Sequence, residues 1–331
     1  MGERGGRAAP VALTVYPMAE RHVARLEAGG VQVRVASRDD EATLVREVAG
    51  VSALITRGPA RITAAVLDAA GGLRVVSTIG SGVDGIDVAR AAAAGIAVTS
   101  GTGVGKDAVA EWVIGALLAL HRRLLPAHAA LTGGNLEWST RLAVHASRQV
   151  HGSTVGIIGM GQIGRRIAQL SHAFDMRVWG YGSANPYIPG YVRMTSDLAE
   201  LLVASDAVTV NLPLTARTRH LIGADQLAMM RPHSVLIDAS RGGVVDQRAL
   251  ADALTEGRLA GAAIDVFAAE PPTSEQLQRL ARTSRVILSP HVAGATTEAL
   301  DRLTANAVEC VLTVLAGGSP PTLVNPSASP E

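Results

Sequence analysis

Residues 155–170, VGIIGMGQIGRRIAQL, constrain the fold more than any other stretch of the chain. An apolar run of strand length gives way to Gly159, Gly161 and Gly164 in G-x-G-x-x-G register, and then to an amphipathic helical pattern. In that context the first glycine permits a tight turn, the second lets a pyrophosphate approach the backbone, and the third lets helix pack closely on strand. The free N–H groups and partial positive charge of the helix N-terminus complete a phosphate cradle. The stretch therefore predicts a parallel sheet with a dinucleotide at its carboxyl edge.

The rest of the chain repeats the same strand and helix rhythm. VALTVY (11–16), VQVRVA (31–36), SALIT (52–56), LRVVST (73–78) and IAVTS (96–100) alternate with alanine-rich helical stretches. The alternation restarts at 153 with STVGIIG and continues through MRVWGY, DAVTVNL, SVLIDAS, AGAAIDVF and RVILSP, separated by helices at 162–173, near 197–204, near 224–230 and at 246–256. Such βα units build doubly wound parallel sheets. Between the two series, apolar spacing predicts a helix over 106–125 ended by Pro126. Residues 127–151, with Trp138, are too long for an ordinary connection and read as an arm packed on another subunit. A last long helix is expected over 296–316, followed by a proline-rich tail that frays or lies along the surface.

Composition narrows the function. The 30 basic and 29 acidic residues are dispersed and leave a net charge of +1, so no footprint for nucleic acid or an anionic membrane appears. The single cysteine, Cys310, lies in an apolar helical pattern and reads as a small buried hydrophobe. No signal-peptide pattern and no uncharged apolar run of about 18 residues occurs, so a soluble, cytoplasmic protein is expected. No metal-ligand spacing stands out.

Ligands of open α/β sheets bind beyond the carboxyl ends of the strands. There SVLIDAS, AGAAIDVF and RVILSP deliver Arg241, then Asp265 with Glu270 beyond it, and His291. Each residue alone has an ordinary surface explanation, but together they match the reduction of a 2-oxo acid. Arginine offers a permanently charged fork for carboxylate and carbonyl oxygen. Histidine donates a proton near neutrality, and a carboxylate bonded to it stabilises the imidazolium.

At these residues a resemblance becomes specific. GMGQIG, NLPLTARTRHLI, LIDASRGGVVDQRALADALTEGRLAGAAIDVFAAEPP and LSPHVAG, with TIGSGVDGIDVARAAAAGIAVTS and AVAEWVIGALLAL upstream, resemble the D-isomer-specific 2-hydroxyacid dehydrogenase family in order and spacing over nearly the whole chain. The resemblance implies an α/β fold of two doubly wound parallel-sheet domains, a Rossmann NAD(P)-binding domain inserted into a flavodoxin-like substrate domain. The substrate domain would comprise 1–103 and 296–331, and the Rossmann domain 104–295, including a dimerisation helix and arm at 106–151 of a homodimer. Carried over by position, Arg241 would bind the substrate, His291 would be the acid/base and Glu270 would orient it. Ser81 and Gly82 would receive the substrate carboxylate through backbone amides. Asp265 would hold the nicotinamide carboxamide, with Leu212, Pro213, Ala239, Ser240, Gly294 and His291 around it. Gln162 and Ile163 would cover the pyrophosphate. Arg57 resembles an arginine that binds phosphate in phosphoglycerate dehydrogenases, and Lys106, the only lysine, offers a further charge. Glyoxylate, hydroxypyruvate and the 3-phosphoglycerate class all stay open as substrates. A different class of function, an NAD(H)-sensing interaction protein of the corepressor type, shares the resemblance.

The chain departs from the family pattern at Asp238 and Gly105, where Asn is common, and at Gly182. NAD-binding turns of this type place an Asp or Glu about 20 residues beyond the loop to bond the ribose 2′-hydroxyl. Gly182 stands there, and Asp175 lies at the wrong end of the strand. With no carboxylate to repel a 2′-phosphate, and Ser183 and Asn185 able to bond either group, NAD(H) is expected as the working cofactor with NADP(H) also accepted. Arg193 is the nearest downstream cation, and an acid introduced at Gly182 is expected to favour NAD(H).

Overall fold

The computed structural model describes residues 9–58, 60–134, 147–182, 187–282 and 285–325. The chain divides into two compact units, residues 1–105 with 297–331, and residues 106–296. Both are built on all-parallel sheets.

In the first unit, strands β1 (Val11–Thr14), β2 (Gln32–Val35), β3 (Ala53–Thr56), β4 (Val75–Thr78) and β5 (Ala97–Thr99) lie in the order β2-β1-β3-β4-β5. Helices α1 (Glu20–Ala28), α2 (Glu41–Glu47), α3 (Ala64–Ala69) and α4 (Val88–Ala93) connect them. Because side chains alternate along a strand, Leu13, Leu54, Val76 and Val98 bury against α2–α4, whereas Ala12, Ala53, Ile55, Val75 and Ala97 face a second core. That second core is completed by Leu303, Ala307, Val308, Val311 and Val314 of the last helix, α12 (Thr297–Leu315). Cys310 is fully buried there. The tail does not fray at once: Leu323 bridges Thr99, and Asn325, 5% exposed, bonds the backbone of Val98 and Ile96. The free edge of β5 offers unpaired N–H and C=O groups, and the tail satisfies them.

The second unit begins with α5 (Lys106–His121) and α6 (Leu124–Thr132). The single helix expected over 106–125 is thus interrupted earlier, at Arg123, whose φ is 52°. Pro126 does not end a helix but sits in the first turn of α6, where a missing N–H goes unnoticed. The rest of the expected arm, including Trp138, falls largely outside the described residues. Strands β6 (Thr154–Ile158), β7 (Arg177–Tyr181), β8 (Val192–Thr195), β9 (Ala207–Val210), β10 (Val235–Asp238), β11 (Gly261–Ile264) and β12 (Val286–Leu288) form one sheet in the order β12-β11-β10-β9-β6-β7-β8. The order reverses between β6 and β9, a topological switch point. Helix α7 (Gln162–Ala173) packs with α5 on one face; α8 (Leu198–Ala204), α9 (Ala224–Met229), α10 (Gln247–Thr255) and α11 (Ser274–Ala281) cover the other. The short edge strand β8 and helix α11 were not foreseen from the sequence. No described helix is long and apolar enough to cross a membrane.

Candidate active site

The glycine loop closes β6 in the conformation its sequence calls for. Gly159 has φ +98°, and a Cβ there would lie 2.6 Å from the Asn211 carbonyl oxygen. A Cβ at Gly164 would lie 2.1 Å from the Gly159 carbonyl oxygen, so α7 can approach the strand only as glycine. A Cβ at Gly161, the N-cap of α7, would meet nothing within 4 Å. The first and third glycines therefore make the turn, and the second keeps open the space in front of the helix N-terminus. That is the cradle a pyrophosphate needs, and the residues fit a dinucleotide. Gln162 is exposed beside Gly161, with Ile163 half-buried after it.

Gly182 follows β7 with φ +143°, a conformation that side-chain-bearing residues rarely adopt. A carboxylate placed at Gly182 would therefore be strained whatever its effect on the ribose. Arg193 does not fill the gap. Its guanidinium stacks 4.0 Å over the Trp179 ring and bonds Glu200 at 2.9 Å. Ser183 and Asn185 lie outside the described residues.

The carboxyl ends of β10, β11 and β12 bring the three candidate reactive groups together within this unit. His291 Nδ1 stands 2.7 Å from Glu270 Oε2, and Glu270 Oε1 accepts the Phe267 amide at 3.1 Å. With Nδ1 turned to a carboxylate, Nδ1 carries a proton and Nε2 is left to exchange one. The His291 and Glu270 side chains are 47% and 38% accessible, so the pair is reachable. The Glu270 hydrogen bond raises the His291 pKa above its ordinary value, outweighing burial and the Arg241 charge. Burial pushes the Glu270 carboxyl up, but the bonds from His291 and the Phe267 amide together carry it below its usual value. The charge of Arg241 acts on both residues. Arg241 follows β10, half-buried, with Nη1 bonded to the Ser240 carbonyl at 2.8 Å.

Asp265, 1% exposed at the end of β11, holds the loop that presents His291. Its Oδ1 accepts the Ser289 hydroxyl at 2.5 Å and the Val292 amide at 2.8 Å, and its Oδ2 accepts the Ala293 amide at 2.9 Å. His291 itself adopts φ 54°, and its amide bonds the Asp265 carbonyl at 2.8 Å. Ser289 is a supporting residue the sequence reading missed; its place two residues before His291, at a strand end, was the available signal. Asp238, at the end of β10, is fully buried, and burial lifts its carboxyl to about 6 against the two bonds from Ser240. Ala239 and Ser240 lie between Asp238 and Arg241, Leu212 and Pro213 follow β9, and Gly294 follows the His291 loop.

Arg57, Ser81 and Gly82 belong to the other unit. Arg57 follows β3 and stands 6.0 Å from the Tyr16 ring centroid, while Ser81 and Gly82 follow β4, exposed and half-buried. Lys106 opens α5 in the second unit and pairs with Asp107 at 3.8 Å. Among the described residues no group of His, Cys, Asp and Glu could hold a metal ion.

The chain is similar to proteins of one known family. The model of the D-isomer specific 2-hydroxyacid dehydrogenase NAD binding domain matches residues 114–293. D-3-phosphoglycerate dehydrogenase of Methanocaldococcus jannaschii is 34% identical over 325 residues, 96% of this chain and 60% of that protein. The chain thus spans about three fifths of the length of that relative. Glyoxylate reductase of Thermofilum pendens is 38% identical over 288 residues, 85% of this chain and 84% of that protein. Among solved structures, an NADPH-dependent glyoxylate/hydroxypyruvate reductase from Sinorhizobium meliloti in complex with NADP and malonate is 30% identical with a TM-score of 0.83, over 98% of this chain and 99% of that one. Since the family model spans more than half of the residues and the similarity to full-length relatives runs through both units, the chain belongs to the D-isomer-specific 2-hydroxyacid dehydrogenase family.

Proposed function

We propose that the protein is an NAD(P)-dependent oxidoreductase that interconverts a small 2-oxo acid and its D-2-hydroxy acid. The observation that carries this reading is the His291–Glu270 pair at 2.7 Å, beside Arg241, in the same unit as the glycine cradle. When bound, the reduced nicotinamide supplies a hydride. His291 Nε2 gives its proton to the carbonyl oxygen as the hydroxyl forms and recovers one in the reverse direction. Glu270 keeps Nδ1 protonated, fixes the ring and stabilises the imidazolium. Arg241 grips the carboxylate and carbonyl oxygen through its fork, which a point charge cannot reproduce. Asp265 holds the His291 loop, and the first turn of α7 would hold the pyrophosphate.

In this reading residues 104–295 are the dinucleotide-binding domain, and 1–103 with 296–331 receive the substrate, Ser81 and Gly82 through backbone amides and Arg57 through any additional anionic group. Glyoxylate, hydroxypyruvate and 3-phosphohydroxypyruvate fit these groups. The relatives named glyoxylate reductase and phosphoglycerate dehydrogenase support that range. NAD(H) is the working cofactor and NADP(H) is accepted, since no carboxylate closes β7 and the described arginine nearest downstream, Arg193, is already engaged. The chain works as a homodimer, supported by α6, which buries none of its side chains and leaves Leu124, Leu125 and Leu131 about half exposed. No observation favours the corepressor-type alternative. The test is a panel of NADH and NADPH against 2-oxo acids, followed by absorbance of the reduced nicotinamide. Turnover of at least one acid is expected. Binding of both cofactors without turnover of any acid would refute the reading.

A further inference from the structure

One carboxyl near the reacting groups has no part in the chemistry above. Asp238 closes β10, and its side chain is fully buried. Oδ1 accepts the Ser240 amide at 3.0 Å and the Ser240 hydroxyl at 2.6 Å, while Oδ2, equally buried, has no hydrogen-bond partner among the described residues. The Asp238 carbonyl accepts the amide of Asp265 at 2.9 Å, so two buried carboxyl groups stand side by side at the ends of adjacent strands. They are treated unlike. Three donors satisfy the Asp265 carboxylate, from Ser289, Val292 and Ala293. The Asp238 carboxyl has one oxygen bare, next to an existing negative charge, which is the setting in which an acid keeps its proton.

Neither ionisation state is comfortable. The ionised form leaves a charged oxygen unbonded, and the neutral form leaves an O–H without an acceptor. The balance between two poor states is easily tipped by a charge arriving nearby, and a site screened from water transmits such a charge strongly. The two oxidation states of a nicotinamide differ in that respect, because the oxidised ring is cationic and the reduced ring is neutral.

We propose that Asp238 is a specificity-determining residue for the oxidation state of the cofactor, its ionised carboxylate favouring the oxidised dinucleotide and its neutral form the reduced one. The assignment rests on the reading that a nicotinamide dinucleotide binds at this edge of the sheet. Linkage makes the effect reciprocal: the oxidised cofactor expels the Asp238 proton and the reduced cofactor retains it. The charged groups facing Asp238 are Asp265 from β11, which opposes its ionisation, and Arg241 from the turn after β10, which favours it. Burial places the transition at about 6, within reach of ordinary pH changes. His291 also titrates in this site and loses positive charge as pH rises, which moves cofactor preference the same way. A comparison of variants separates the two.

The test measures Kd for NAD+ and for NADH, by calorimetry and nicotinamide fluorescence, at about pH 5 and about pH 7.5 in the wild type and in Asp238→Asn. In the wild type the ratio Kd(NAD+)/Kd(NADH) should fall with rising pH. The variant should lose about five-fold or more of that fall and keep only the share of His291. An identical fall in both proteins overturns the assignment. Failure of either cofactor to bind overturns the dinucleotide reading itself and this assignment with it, so the two failures differ in appearance. A measurement on the wild type alone guards against a variant that does not fold. Infrared absorption of the protonated carboxyl group, recorded near the transition, should weaken on addition of NAD+ and persist with NADH. Equal intensity with both cofactors overturns the assignment, since histidine gives no such band.

Discussion

Replacing Asp238 by asparagine should stabilise the protein at neutral pH and leave it nearly unchanged in acid. The folded protein holds this carboxyl to about 6 against an ordinary value of 3.8, because the side chain is wholly buried. An acid raised on folding binds its proton more tightly in the native state than in the unfolded one. Below the unfolded value the carboxyl is neutral in both states and carries no ionisation cost, and stability drains away as pH rises from about 3.8 to about 6, then stays constant. The gap of about two pH units corresponds to about 3 kcal/mol at pH 7. Asparagine keeps an acceptor for the Ser240 amide and hydroxyl and carries no charge, so the variant escapes the loss. For a unit of this size the gain is about 6–12 °C in Tm at neutral pH. Differential scanning calorimetry of both proteins at about pH 4 and about pH 7 reads the effect directly as a Tm difference that opens with pH. A constant Tm difference across that range, or a variant that is less stable at pH 7, would refute the reasoning. A group that weakens the fold at the pH where it is ionised has reason to persist if it serves the site.

His291→Ala should lower turnover by about 10²–10⁴-fold while leaving dinucleotide binding almost intact, measured by steady-state kinetics beside fluorescence titration. Glu270→Gln replaces the charged acceptor that raises the His291 pKa with a neutral one, so in oxo-acid reduction the fall of kcat/KM on the alkaline side should move to lower pH; an unmoved limb would separate the pair. Gly161→Ala and Gly164→Ala should fail differently. The first meets no protein atom and should fold normally yet lose dinucleotide affinity, whereas the second drives a methyl group to 2.1 Å from the Gly159 carbonyl and should lower Tm as well. At Gly182, with φ +143°, both Ala and Asp should destabilise; only the difference between them in NAD(H) against NADP(H) kcat/KM reports the charge at the ribose.

Much of the architecture could be read from spacing alone. The inner strands of both sheets are buried runs rich in Val, Ile and Ala, so their hydrophobic signal is continuous. The glycine loop and the three strand-end residues were legible because each type answers a local demand, a tight turn or a reacting atom. What escaped depended on partners distant in sequence. Pro126 reads as a stop in isolation, but the αL turn at Arg123 restarts the helix two residues before it. Residues 323–325 look like the start of a loose tail until the open edge of β5 is beside them. Gly182 looks like a missing acid, and only its backbone angle shows that a side chain would be strained. Asp238 and Asp265 are both strand-end aspartates, and nothing in their flanking sequence tells which one receives three donors and which one is left with a bare oxygen.

The division of the first unit between the two ends of the chain sets an order for its birth. Strands β1–β5 leave the ribosome early, but the helix that covers Ala12, Ala53, Ile55, Val75 and Ala97 follows only after about 190 further residues have been made. At ordinary elongation rates that interval is about 10–40 s. The middle unit, by contrast, emerges as one uninterrupted segment and can close its core during synthesis. A five-stranded sheet thus waits with one apolar face incompletely covered while the middle unit forms behind it. The nascent chain is most open to chaperones, and to sticking to its neighbours, in the interval just before α12 appears.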